Sequence, residues 1–266
     1  MSRGLFESAR SCLDLADPAE KCSAVTTFGR DFESGLCFPD EDYPLEPIGS
    51  PGRPPKPVLV DPACVPRRRL GSQAGRSALV HAVAHIEFNA INLALDAVYR
   101  FRGMPLEYYG DWISVAVDEA RHFGLLEDRL SQMGHAYGDF TAHNGLWDAA
   151  VKTADACLVR MALVPRVLEA RGLDVTPGMI ERLRAAGDHD TVAALEVILD
   201  EEVRHVAIGT KWFRHCCRQQ GRDPLPTFLE LLRERSDSLP RGPFNLEARY
   251  RAGFSREEMD ALTAGL

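Results

Sequence analysis

Glu119-Ala120-Arg121-His122 and Glu202-Val203-Arg204-His205 decide how this chain is read, because each sets a carboxylate and an imidazole one helical turn apart on one face. Chance would supply roughly half of one Glu-x-x-His in a chain of this composition, so one copy carries little and two Glu-x-Arg-His copies carry much more. Around the first copy, Trp112, Val115, Ala116, Glu119, His122, Phe123, Leu126 and Leu130 share a helical stripe. Around the second, Val192, Leu195, Leu199, Glu202, His205, Gly209 and Trp212 do the same. The acids therefore lie on the apolar stripes that should face a core. A buried carboxylate needs a cation or a proton to be tolerated there.

Working outward, Val80, Val83, Ala84, Glu87, Ile91, Ala94, Leu95 and Val98 predict an earlier helix with one acid on its stripe. Val151, Ala154, Leu158, Ala162, Pro165 and Glu169 predict a third helix that stops at Gly172. The intervals repeat: 32 residues from Glu87 to Glu119 and 33 from Glu169 to Glu202, with 83 from His122 to His205 and 82 from Glu87 to Glu169. Two helical hairpins, each supplying one Glu and then one Glu-x-x-His, account for this. Asp155 competes with Glu169 for the third helix, but it lies 14 residues earlier. That is about 21 Å along the axis, so the two cannot serve one site, and the repeat favours Glu169.

The expected fold class is all-α: four long amphipathic helices and no convincing strand. Residues 1–70 form an arm with a helix over Gly4–Leu15 and a proline-rich strap from Phe38 to Pro66, residues 71–221 the bundle, and 222–266 a C-terminal extension without identifiable chemistry. A long connection joins helices two and three, and Thr176-Pro177 predicts a capped start for a short extra helix. His81 and His85 have the spacing of helical zinc ligands, yet His85 lies about 160° around the helix from Glu87, which favours a hydrogen-bonded packing role. Trp112, Trp147 and Trp212 read as packing residues.

A net charge of −8 argues against a nucleic-acid partner, and the run Arg67–Arg69 reads as a solvated linker. Seven scattered cysteines without a Cys-x-x-Cys pair suggest reduced thiols, and neither a leader nor an apolar run of about 18 residues is evident. A cytoplasmic protein with no membrane partner is expected, and a homodimer stays open.

The four-Glu, two-His pattern resembles the ferritin-like dinuclear carboxylate superfamily. More narrowly, His85-Ile86-Glu87, Asp118-Glu119-Ala120-Arg121-His122, Gly134 to Asp139, Leu168 to Pro177 and Glu202 to His205 resemble a bacterial ferritin-like family known only as a domain of unknown function. A distant similarity to the tRNA-modifying diiron hydroxylase is confined to the ligand pattern. The resemblance implies a ferritin-like four-helix bundle holding two metal ions on Glu87, Glu119, His122, Glu169, Glu202 and His205. It also implies that Asp118 and Glu201 partner the histidines of opposite helices, with Arg121 and Arg204 steadying those acids. Glu201 departs from the usual Asp.

Two imidazoles and four carboxylates form a hard donor set that suits iron or manganese, or a mixed pair. The leading expectation is an oxidoreductase, an oxygen-activating oxidase or hydroxylase in which the metal ligands are the only catalytic residues. Dioxygen, an organic substrate and an electron donor would be its partners. Iron handling, as ferroxidase or store, and a non-catalytic bundle whose acids pair with Arg121 and Arg204 are the competing expectations.

Overall fold

The structure, a computed structural model, describes residues 3–66, 69–236 and 239–265. Two of the three arginines in the basic run, Arg67 and Arg68, lie outside the described residues. Among the described residues the chain is mostly helical, and its two short strands, β1 (Arg3–Gly4) and β2 (Cys37–Phe38), form one parallel pair. The fold class is all-α, as expected. The chain divides into two compact units, Met1–Val151 with Ala185–Ala194, and Lys152–Arg184 with Leu195–Leu266.

In the first unit, α1 (Leu5–Asp14) and α2 (Pro18–Glu33) pack on α3 (Gln73–Arg100) and α4 (Leu106–Gln132), which are themselves paired. α3 begins where the Ser72 hydroxyl accepts from the Gly75 amide, and α3 and α4 turn back on each other through Gly103 at φ 71°. α2 begins with an equally legible signal: Asp17 caps the Glu20 amide and Pro18 occupies the first helical position. Lys21 fastens this pair of helices to α3. Its buried ammonium donates to the carbonyls of Cys12 and Leu13 at the end of α1 and to Asn92 Oδ1 at 2.6 Å, and burial pushes its pKa down to about 8.

The proline-rich strap lies on this unit. The Gly52 amide donates to Leu13 O, Trp147 Nε1 to Gly49 O, and the Tyr99 hydroxyl to Pro44 O while accepting from the Glu46 amide. These bonds satisfy backbone groups that a proline-rich segment cannot pair internally.

α3 is long and apolar enough, by length and composition, to cross a membrane, although His81, His85, Glu87, Asn89, Asn92 and Asp96 interrupt its apolar residues. Its most apolar window is 72% buried within the protein, as in the core helix of a globular bundle.

The predicted third helix is interrupted. α5 (Gly145–Lys152) stops and α6 (Cys157–Leu163) begins after a break, across which Arg235 donates to the Lys152 carbonyl and to the Asp155 carboxylate. A π-helical turn, Val164–Glu169, then runs into α7 (Ala170–Ala185). Neither Gly172 nor Thr176-Pro177 breaks this helix, against expectation, and Pro177 stands inside it. The backbone donor missing at Pro177 is replaced at the Leu173 carbonyl by the Asn245 side chain, 3.2 Å away. The turn comes only at Gly187, with φ 74°.

The second unit is completed by α8 (His189–Gln219) from Leu195 onward, α9 (Pro224–Arg235), α10 (Leu246–Arg251) and α11 (Arg256–Ala264). Arg249 and Asp174, both buried, pair at 2.7 Å and fix α10 to α7.

Candidate metal centre

Glu87 reaches the interior from the middle of α3, and Glu119 and His122 from adjacent turns of α4. All three are buried, with side-chain exposures of 4%, 1% and 0%. His122 Nδ1 stands 3.5 Å from Glu87 Oε2 and 3.4 Å from Glu119 Oε2, and one ligand atom from each residue lies within 4.8 Å of the others. Burial alone would push the imidazole down, but the Glu119 and Glu87 carboxylates outweigh it and hold His122 up to about 10. Two carboxylates thus collect one positive charge between them, and a proton on His122 can supply it. The donor chemistry also fits a hard divalent cation, which would take that proton's place.

In the second unit α8 repeats the α4 arrangement. Glu202 and His205 lie one turn apart, with His205 Nδ1 3.5 Å from Glu202 Oε1 and the imidazole fully buried. Glu169 is the last residue of the π-helical turn and is half-buried. Asp155, its competitor in the sequence, is exposed and paired with Arg235 at 2.9 Å.

Of the expected supporting residues, Arg121 approaches Asp118 at 3.5 Å on α4, a weak contact at a partly exposed position. On α8, Glu201 is half-buried and Arg204 is exposed. The apolar residues one turn from the ligands, Val83, Ile91, Phe123 and Val206, are buried, as are all three tryptophans.

His81 and His85 take hydrogen-bonding roles. His81 Nε2 accepts from the Gly138 amide at 3.0 Å, while His85 contacts the Tyr137 hydroxyl at 2.8 Å and the His143 carbonyl at 3.1 Å. Both hold down the connection between α4 and α5, and burial pushes both imidazoles down to about 4. Tyr137 is the neighbour that sequence distance hides. Its ring lies 5.0 Å from Phe123 and 5.6 Å from Phe88, the residues that come directly after His122 and Glu87. The nearby turn glycines, Gly134 and Gly138, are the available sign that the chain folds back there.

Residues 14–260 match a family described as "Protein of unknown function (DUF455)". An uncharacterized protein of Haemophilus influenzae is 40% identical over 265 residues, covering 96% of this chain and 92% of that protein. No solved structure matches the chain.

Proposed function

We propose that this chain, which belongs to the family of proteins of unknown function DUF455, is a ferritin-like bundle that binds two metal ions and acts as an oxygen-activating oxidase or hydroxylase. The observation that carries the reading is the convergence of Glu87, Glu119 and His122 below the surface, where two carboxylates need compensating charge. Within the first unit, Glu87, Glu119 and His122 offer donor atoms that could hold a metal ion, and Glu202 is the matching acid of the repeated motif. The internal repeat adds Glu169 and His205 as donors to a second ion. Oxygen and nitrogen donors without thiolate favour iron, with manganese or a mixed pair as the alternative.

When bound, a pair of such ions supplies dioxygen activation and one-electron chemistry that amino-acid side chains lack. The chain's own residues do the rest. Glu87 and Glu119 set the charge, His122 yields the Nδ1 proton as a cation enters, and Val83, Ile91 and Phe123 keep water from the ligands.

Anaerobic loading with Fe(II), desalting and elemental analysis test the reading, followed by an absorption spectrum on exposure to oxygen. Two irons per chain and an oxygen-dependent band are expected. A chain that retains no metal defeats the proposal. The same His122 geometry supports one competing reading, a non-catalytic bundle in which the proton is the permanent counter-charge. That reading requires an unchanged melting temperature with and without iron. A large particle holding far more than two irons per chain would instead indicate iron storage.

A further inference from the structure

Residues 222–266 show no chemistry in the sequence, yet Phe228, Arg249, Phe254 and Glu258 from that stretch pack around one turn of the second unit. Arg166, the third residue of the π-helical turn, is fully buried, and its guanidinium donates to Glu258 Oε1 on α11 at 2.5 Å. Three phenyl rings enclose it: Phe228 of α9 at 4.0 Å, and Phe213 of α8 and Phe254, just before α11, each at 4.6 Å. Glu258 is itself fixed, because its other oxygen accepts from the Ser255 amide at 2.7 Å and its own amide donates to Ser255 Oγ. One carboxylate therefore ties the cap of α11 to the middle of the π-helical turn.

The turn is held on both sides of Arg166 as well. Pro165 sits so close to Gly209 of α8 that a Cβ on residue 209 would overlap the proline ring. Past the turn, Arg249 donates to the Ala170 carbonyl and pairs with Asp174. Glu169 lies between these anchors.

We infer that Arg166 is a positioning residue: clamped by Glu258 and the three phenyl rings, it keeps the π-helical turn in register and so sets where Glu169 presents its carboxylate to a metal ion. This rests on the dinuclear reading above. A π-helical turn holds one residue more than the α-helix it interrupts, and relaxing it would rotate the downstream helix by about 100°. Glu169, at the end of the turn, is the residue such a slip would displace. An apolar side chain could fill the Arg166 site, but only a planar fork with a fixed partner also sets the turn's orientation. Enclosure by hydrocarbon and one carboxylate makes the guanidinium stay where its partner is.

The test uses the full-length chain and three variants: Glu169→Gln, the double variant Arg166→Met with Glu258→Leu, and Phe228→Leu. The double change removes both charges together, so no buried charge is orphaned. Each protein is titrated anaerobically with Fe(II), and separately with Co(II), whose absorption spectrum reports the coordination of each ion. The double variant should bind the first ion with unchanged affinity and the second about 10-fold or more weakly, with the altered cobalt spectrum of Glu169→Gln. A merely structural role would weaken both ions together and leave the shape of the cobalt spectrum unchanged, which would overturn the inference. Wild-type binding of both ions by the double variant, beside loss of the second in Glu169→Gln, overturns it too. Retention of both ions by Glu169→Gln removes Glu169 as a ligand and overturns the inference while the metal reading survives. A wild-type chain that takes no metal overturns the reading itself and this inference with it. Should the double variant not fold, Phe228→Leu decides: selective weakening of the second ion supports the clamp, and unchanged binding refutes it.

Discussion

The two halves of the ligand pattern are close copies in sequence and different objects in space. In the first unit, α3 and α4 are long uninterrupted helices, and the buried Glu87 and Glu119 carboxylates stand 3.5 and 3.4 Å from His122 Nδ1. In the second, α8 repeats the Glu-x-x-His pair at 3.5 Å, but its partner acid Glu169 ends a π-helical turn and is half-buried. A regular helix places a ligand by its period alone. A π-helical turn places one only while its surroundings prevent it from relaxing, and here Gly209, Glu258, Arg249 and three phenylalanines surround it. One donor pattern can thus rest on a preformed half and a braced half.

Removing one ligand from each half should separate them most widely. His122→Ala should abolish tight iron binding, with a loss of at least about 100-fold, whereas Glu169→Gln should weaken only the second ion, by about 10-fold. Calorimetric titration under anaerobic conditions reads both, and equal losses would erase the distinction.

Acid should act next. His81 is fully buried and neutral, with its pKa pushed down to about 4 by burial, whereas the unfolded chain protonates it near the ordinary value of 6.5. Its contribution is therefore complete above about pH 6.5 and is lost progressively as the pH falls toward 4, amounting to about 3 kcal/mol. Urea midpoints measured across that window should fall steeply for the wild type and less for His81→Gln.

The legibility of the sequence divides along the same line. α3, α4 and α8 are readable because each carries an apolar stripe on which an acid is conspicuous. Pro165, Gly172 and Pro177 read as bends and breaks because their local preferences oppose helix. The groups that overrule them, Gly209, Asn245 and Arg249, lie far along the chain, and no local pattern announces them. α2 is missing from the sequence reading although its Asp17-Pro18 cap is in plain view: the expected helix ends at Leu15, the expected strap begins at Phe38, and nothing is assigned between them. Within the site, the paired Glu-x-x-His segments and Glu87 are legible from spacing, whereas the Tyr137 contacts and the Arg166 enclosure are not, since both depend on loops and tail segments that return from elsewhere.

Two smaller perturbations sharpen the contrast. Gly209→Ala, which forces a methyl against Pro165, should cost about 1–3 kcal/mol in chemical denaturation and weaken the second ion while sparing the first. Asn245→Ala removes the donor to the Leu173 carbonyl and the cap on the Ala248 amide, for a loss of about 1 kcal/mol by the same measurement.

The central claim, that buried carboxylates and imidazoles of this chain hold a pair of metal ions, is tested most directly by anomalous diffraction at the iron edge from crystals of the iron-loaded protein. The account predicts two neighbouring peaks within bonding distance of Glu87, Glu119, His122, Glu169, Glu202 and His205. Peaks confined to surface residues, or none at all in crystals grown with excess iron, would contradict it.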